Sequence, residues 1–351
     1  MFKQFLLWRA TDARRRSALM LATGAILAMS SPLVGAAQMS PIPVVASFSV
    51  LGDMVSEIGG EHVAVTTIVG TGGDAHSFEP TPQNAKAMAQ AKVLVVNGLG
   101  FEEWLPRLLK SAGFSGTQIV ASKGVTPRHL SAAEQTPEVA HHSNHSGHHH
   151  EGDIDPHAWQ NLKNGMIYAK NIADGLSQAD PANAKSYQDR AALYIAAMKK
   201  LDAEIKLALA AIPENRRKVV TSHDAFGYFQ DAYNVTFLSA AGFSSDAEPS
   251  AKDVAAIIDQ IKKEHIPAVF VESISSQKLI RQISAETSAK LGGTLYSDSL
   301  SRPDEPAGTY LGMFTWNAGR LIYALQPDNK ENVEKSSAEP KATAKSRSKG
   351  S

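Results

Sequence analysis

From Val44 onward the apolar residues of this chain fall into short runs separated by stretches with helical spacing. Val44–Phe48, Val63–Val69 and Val93–Val96 have the length and β-branched content of strands. The last is apolar at every position, as in a strand buried on both faces of a parallel sheet. Helices are predicted at Val50–Gly59, Thr81–Gln90 and Glu102–Ser111, with a further short strand at Gln118–Ala121. Beyond Pro213 the alternation resumes, with strands at Lys218–Ser222, Val235–Ser239, Ala268–Glu272 and Thr294–Tyr296. Helices there are expected at Asp224–Tyr233, Ala251–His265, Ser276–Leu291 and Thr309–Leu325. Strand and helix in turn make βα units, so the fold class is α/β, with two lobes that each hold a mainly parallel sheet flanked by helices.

Two Asp-Pro pairs punctuate the middle of the chain. Aspartate at the N-cap with proline in the first turn is a helix-start signal. Asp155-Pro156 is therefore expected to open a helix with His157 in its first turn. Asp180-Pro181 is expected to open a longer one that runs through Ile212. Along it Tyr187, Ala191, Tyr194, Met198, Leu201, Ile205, Ala208 and Ile212 recur at steps of four and three, forming one apolar stripe. Roughly thirty residues of helix measure about 45 Å at ~1.5 Å per residue, more than one lobe needs, so this helix is read as joining both. The expected domains are a first lobe over 40–179, a linking helix over 180–212 and a second lobe over 213–326. A length of 351 residues is enough for two such lobes, each with its own core.

Composition removes several function classes. The chain has 35 basic and 35 acidic side chains, a balance that points away from nucleic acid. It has no cysteine, which excludes thiolate metal sites, disulfides and a lipid-anchored cysteine. Arg14-Arg15-Arg16, the apolar run Ala18–Met29 and the small residues Val34-Gly35-Ala36-Ala37 follow the order of a secretory signal over residues 1–37. The run is too short to span a bilayer comfortably. Cleavage after Ala36 or Ala37 is expected, with export to the periplasm and no lipid anchor. Within 138–152, His141, His142, His145, His148, His149 and His150 crowd a segment with almost no apolar residues. Such a segment buries no core and is expected to be a mobile loop that collects extra Zn(II) weakly. The stretch 328–351, rich in lysine, serine and alanine, is expected to be a disordered tail.

Two glycine-rich turns do not qualify as phosphate cradles. Gly98-Leu99-Gly100 follows a strand, but Glu103 stands where a third glycine would, and its charge would repel a pyrophosphate. Gly70-Thr71-Gly72-Gly73 lacks the lysine and hydroxyl of a P-loop. Both read as tight strand-to-helix connections. Beyond the second lies Gly73-Asp74-Ala75-His76-Ser77-Phe78-Glu79-Pro80-Thr81, and three later segments resemble it in setting one metal-ligating residue at a strand or helix end. These are Asp155-Pro156-His157-Ala158-Trp159, Ser222-His223-Asp224-Ala225-Phe226-Gly227-Tyr228 and Tyr296-Ser297-Asp298. Such ends form the rim at which open α/β sheets bind ligands. The three imidazoles and one carboxylate, His76, His157, His223 and Asp298, are the parts of a closed tetrahedral metal site. His62, His129 and His265 are polar-flanked, without partners at ligand spacing, and read as solvated or packed. Glu79 is a candidate substitute ligand or outer acceptor, and Asp224 is expected to cap the following helix rather than to orient His223.

The four motifs resemble those of the periplasmic metal-binding receptors of ABC importers for zinc and manganese, the cluster A-I or cluster 9 solute-binding proteins. The resemblance runs from about Ile42 to Leu325. It implies two α/β lobes joined by one long rigid helix and a single tight Zn(II) site. His76 and His157 would come from the first lobe, and His223 and Asp298 from the second. It further implies no catalysis, delivery of the metal to an ABC permease in the inner membrane, a periplasmic metal donor as a further partner, and a monomer. Manganese receptors of the family usually carry glutamate where this chain has His223. Many Gram-negative zinc receptors carry a longer histidine loop and a cysteine pair. The chain looks closest to zinc receptors with three histidines and one aspartate, and a manganese receptor is the alternative within the family. The rival from another class is a periplasmic zinc hydrolase with Glu79 as base. Four protein ligands leave no open position for water, however, and no His-Glu-x-x-His stretch is present.

Overall fold

The computed structural model describes residues 40–130, 154–239 and 250–327. The signal segment, the histidine tract and the C-terminal tail named above lie outside the described residues. In the first half, β1 (Ile42–Phe48), β2 (Val63–Val69), β3 (Val93–Val96) and β4 (Thr117–Val120) form a parallel sheet in the order β2-β1-β3-β4. A two-residue antiparallel pair follows, β5 (Arg128–His129) with β6 (Ile154–Asp155). In the second half, β7 (Lys218–Thr221), β8 (Thr236–Ser239), β9 (Ala268–Glu272) and β10 (Lys290–Leu295) form another parallel sheet, ordered β8-β7-β9-β10. The two sheets share one topology: in each, the first strand lies between the second and the third. The chain therefore reverses its winding between the first and third strands, and the crevice beyond their carboxyl ends is a topological switch point.

The helices are α1 (Ser49–Gly59), α2 (Pro82–Gln90), α3 (Leu105–Ala112), α4 (Leu162–Ala179), α5 (Ala184–Ala210), α6 (Gly227–Tyr233), α7 (Ala251–Glu264), α8 (Gln277–Glu286) and α9 (Tyr310–Leu325). Several starts follow from local chemistry. Thr81 and Asn84, like Ser250 and Asp253, make reciprocal capping boxes, and Thr309 accepts from the Gly312 amide at 3.0 Å. Gly98, Leu99 and Gly100 all adopt positive φ (84°, 55° and 78°), which makes the tight strand-to-helix connection expected there.

Four sequence expectations need correction. Asp155 does not cap a helix: its Oδ1 accepts from the His157 amide at 2.9 Å in an Asx turn, and α4 starts only after Asn161, whose side chain accepts from the Lys163 amide. Asp224 does not cap α6, which has no side-chain cap. The helix expected through Leu291 ends at Glu286, because Lys290–Leu295 pairs with β9 through an irregularity between Leu291 and Thr294. Helix α5, expected over 180–212, spans 27 residues, about 40 Å at ~1.5 Å per residue. It ends at Ala210, where the Arg217 guanidinium caps it by donating to the carbonyls of Ala210 and Ile212.

The buried stripe of α5 also drifts from the expected register. It runs through Tyr187, Ala191, Tyr194 and Met198 and then continues as Asp202, Ile205 and Leu209. Asp202 is tolerated there because it accepts from Tyr233 Oη at 3.0 Å and from Lys206 Nζ at 2.6 Å. The lobes do not have separate cores. One continuous apolar cluster runs from β1 and β3 through α4, α5 and α9 to Val219, Phe270 and Leu295 of the second sheet. Only the far face of that sheet, with Val220, Val269 and Val271 against α7 and α8, forms a second cluster.

Candidate metal centre

Four loops bring the candidate ligands together. The β2–α2 loop carries His76. Its Asp74 carboxylate accepts from the His76 amide (2.8 Å) and Ser77 Oγ (3.0 Å), and Trp104 Nε1 donates to Ala75 O at 2.9 Å. His157 follows β6 in the Asx turn. His223 follows β7, where the amides of Ser222 and His223 both donate to Glu272 Oε1 at 2.9 Å, so the end of β9 holds the end of β7. Asp298 follows β10 in a segment gripped from both halves. Asn317 brackets Tyr296 by accepting from its amide and donating to its carbonyl, and Trp159 Nε1 and Gln160 Nε2 donate to Ser297 O at 2.9 and 2.6 Å.

The three Nε2 atoms and the Asp298 carboxylate converge. His76 Nε2 lies 3.1 Å from His157 Nε2 and 3.3 Å from Asp298 Oδ2. His223 Nε2 lies 3.0 Å from Asp298 Oδ2, and His157 Nε2 lies 3.6 Å from Oδ1. All four ligand atoms fall within 4.8 Å of one another. Four atoms around a tetrahedral ion at ~2.0 Å are about 3.3 Å apart along each edge, close to these separations. His157, His223 and Asp298 are fully buried, and His76 is 16% exposed at its side chain. Phe101 packs edge-on to His76 and Trp159 to His157, a dry aromatic wall on the first-lobe side.

Two rings are held from behind. Asp155 Oδ1 faces His157 Nδ1 at 2.8 Å, and Glu272 Oε2 lies 2.7 Å from His223 Nδ1, as an ion pair not aligned for a hydrogen bond. Carboxylates at Nδ1 turn Nε2 toward a metal and raise its basicity. Burial alone would lower the pKa of both rings. The surrounding carboxylates outweigh it, Asp298 and Asp155 raising His157, Glu272 and Asp298 raising His223 well above the usual range. Burial would raise Asp298, but the two imidazoles hold it well below the carboxylate range. Asp298 Oδ1 has no hydrogen-bond donor although it is buried. An anionic oxygen in that state is what a cation would satisfy.

The structure brings together His76, His157, His223 and Asp298, which the sequence singled out, and leaves Glu79 exposed and outside the cluster. His62 packs edge-on against Tyr187, His129 lies exposed in β5, and His265 takes a left-handed conformation (φ 51°) at the end of α7. Glu272 went unnoticed in the sequence. It stands 49 residues from His223, and its one signal is its place at the end of the apolar run Ala268–Glu272.

A family model described as zinc-uptake complex component A, periplasmic, matches residues 44–324. Two curated relatives are each 30% identical to the chain. One is the metal ABC transporter substrate-binding lipoprotein FimA of Streptococcus parasanguinis, with 81% of this chain and 89% of the relative covered. The other is the manganese ABC transporter substrate-binding lipoprotein PsaA of Streptococcus pneumoniae, with 86% and 94% covered. A solved structure, the periplasmic zinc-binding protein TroA of Treponema pallidum, superposes with a TM-score of 0.72 at 26% identity over 82% of this chain and 100% of that one. Both curated relatives are named lipoproteins, which stands against the expectation of an unanchored protein; this chain has no cysteine. Among the described residues no helix is long and apolar enough to cross a membrane. The chain belongs to the family of zinc-uptake component A, metal-binding substrate-binding components of ABC transporters that work with a permease and are not enzymes.

Proposed function

We propose that the protein captures Zn(II) between its two lobes, 40–179 and 213–326 joined by the helix 180–212, and hands it to an ABC permease in the inner membrane. His76, His157, His223 and Asp298 are the ligands. The observation that carries this reading is the convergence of three Nε2 atoms and one carboxylate in a buried spot, with an anionic oxygen left without a donor. Imidazole nitrogen suits zinc, and four ligands complete its tetrahedron. The site lies in a periplasmic monomer. The histidines between His141 and His150 add weak Zn(II) sites, and a periplasmic donor protein supplies the metal. Deleting 141–150 abolishes the weak sites and leaves the tight one.

Manganese is the second reading. Asp298 presents both oxygens inward, Oδ1 toward His157 and Oδ2 toward His76 and His223, which would give a fifth ligand atom and more oxygen character. One relative is named for manganese. Competition titration with both metals decides between them. Zinc preferred by the wild type, with the preference narrowed by His223→Glu, supports the proposal. Manganese preferred by the wild type overturns it.

A further inference from the structure

We propose that Arg128 is a positioning residue that ties closure of the two lobes to the metal through Asp155. The inference rests on the reading of His157 as a ligand. Arg128 belongs to the first half, in β5, yet its side chain is enclosed, 12% exposed, against α6 of the second. Its Nη1 lies 3.4 Å from Asp155 Oδ2, and its Nε lies 3.3 Å from Asp231 Oδ2 on α6. Its amide donates to Tyr228 Oη at 2.8 Å, and the Tyr228 hydroxyl donates in turn to Asp155 O at 3.1 Å. One guanidinium thus touches a carboxylate from each half, and one tyrosine from the second half stitches both strands of the β5–β6 pair.

Asp155 is shared between two tasks. Its Oδ1 faces His157 Nδ1, while its Oδ2 faces Arg128. A carboxylate accepts at both oxygens at once, so the guanidinium fixes the rotation of the group that fixes the ring. Asp155 is fully buried, and its two oxygens find their side-chain partners in His157 and Arg128. The close approach of α6 has its own signature. A Cβ on Gly227, the first residue of that helix, would lie 2.6 Å from Arg128 Cζ, from its Nη1 and from Asp155 Oδ2. A side chain at this position would have to push the guanidinium and the carboxylate aside. The loop that leads into α6 carries His223, so the element pressing on Arg128 is continuous with the second-lobe ligand. Parting the lobes withdraws Asp231 and Tyr228 from Arg128, loosens Asp155 and lets the His157 ring turn. The contacts form a physical chain from the lobe interface to a metal-facing nitrogen.

The test is the rate at which Zn(II) leaves the loaded protein when a chelator is added. Arg128→Gln and Gly227→Ala are expected to speed release ~10-fold, the scale of outer-shell substitutions at metal sites. Asp231→Asn, on a side chain that is 58% exposed and does not endanger the fold, is expected to speed it by a smaller factor, up to ~5-fold for a partly exposed ion pair. In the Asp155→Asn background, Arg128→Gln adds nothing further. The 15N resonance of His157 Nδ1 moves in Asp231→Asn, which a remote packing change would not produce. Wild-type release from Asp231→Asn with an unmoved resonance overturns the proposal, as does Arg128→Gln multiplying the effect of Asp155→Asn. If His157→Ala releases Zn(II) at the wild-type rate, the ligand reading itself fails, whatever the Arg128 variants do.

Discussion

The crevices of the two sheets can be compared atom by atom, because both sheets wind in the same order. Each buries a glutamate that gathers backbone amides where the first and third strands end. In the first, Glu102 accepts from Ser47 Oγ (2.7 Å) and the Asn97 amide (2.6 Å) at Oε1, and from the Gly98 amide (3.1 Å) at Oε2. Both oxygens are taken, and neither is left to face a histidine ring. In the second, Glu272 spends Oε1 on two amides and leaves Oε2 facing His223 Nδ1. The same device ties down a turn in one lobe and faces the candidate ligand His223 in the other. The difference is whether the loop leaves one oxygen over. It also shows the Gly98 turn to be a poor phosphate cradle: Glu102, one residue before the glutamate that the sequence pointed to, already takes the Asn97 and Gly98 amides.

The largest expected effects test the ligands themselves. His76→Ala, His157→Ala, His223→Ala and Asp298→Ala should each weaken metal binding by more than the roughly 10–100-fold typical of outer-shell changes, as read by calorimetry. Wild-type affinity in any one of them removes that residue from the metal. Next comes the contrast between the crevices. Glu272→Gln should weaken binding by about 10–100-fold, while Glu102→Gln leaves affinity unchanged and lowers stability by ~1–3 kcal/mol, because an amide NH2 would meet a backbone donor. Equal effects on affinity would erase the distinction.

Proton competition gives a third comparison. A metal at Nε2 must displace protons from His157 and His223, whose pKa values are raised, so affinity should already be falling above pH 6.5 as the solution is acidified. Glu272→Gln removes the leading carboxylate that raises His223 and should move that onset toward lower pH, as seen in titrations across the range. The smallest effect concerns the metal-free protein. Burial raises Glu102 above its ordinary 4.5, so the folded state holds that proton longer than the unfolded one. Stability from this group is full below 4.5 and is lost as pH rises through the raised value. The raised histidines lose theirs at higher pH, with the same sign. Denaturant melts of Glu102→Gln should flatten the lower part of the slope, and those of His223→Ala the upper part.

Much of this was legible because chemistry and topology coincide in the motifs. Glycine turns and strand ends announce His76, His157, His223 and Asp298, and β-branched runs mark β1, β2, β3 and β9 nearly to the residue. Four features were hidden for physical reasons. Glu272 works through space, and no local spacing separates it from any other strand-terminal glutamate. Asp155 carries a cap-like signature, and its oxygen does accept from the amide two residues on, but the chain there makes an Asx turn instead of continuing into a helix. Lys290 and Leu291 read as a helix end because their pairing with β9 is supplied by the neighbouring strand rather than by their own residues. Asp202 deceived the stripe in α5 in the same way, since its buried position depends on Tyr233 from another helix.

The apolar cluster that crosses from one sheet to the other has a thermal consequence. Lobes with private cores could melt one after the other. Here Gly165 of α4 lies against Tyr310 of α9, and Tyr310 Oη donates to Trp159 O, so neither half has a finished surface without its neighbour. A fragment ending at Ala179 would strip Trp159 of Ser297 O and Tyr310 Oη, its two partners from the second half, and should not stay folded. Heating the whole protein should give one calorimetric transition whose two enthalpies agree. Metal at a thousandfold excess over its dissociation constant should lift that single transition by about 4 kcal/mol of added stability, in both halves together.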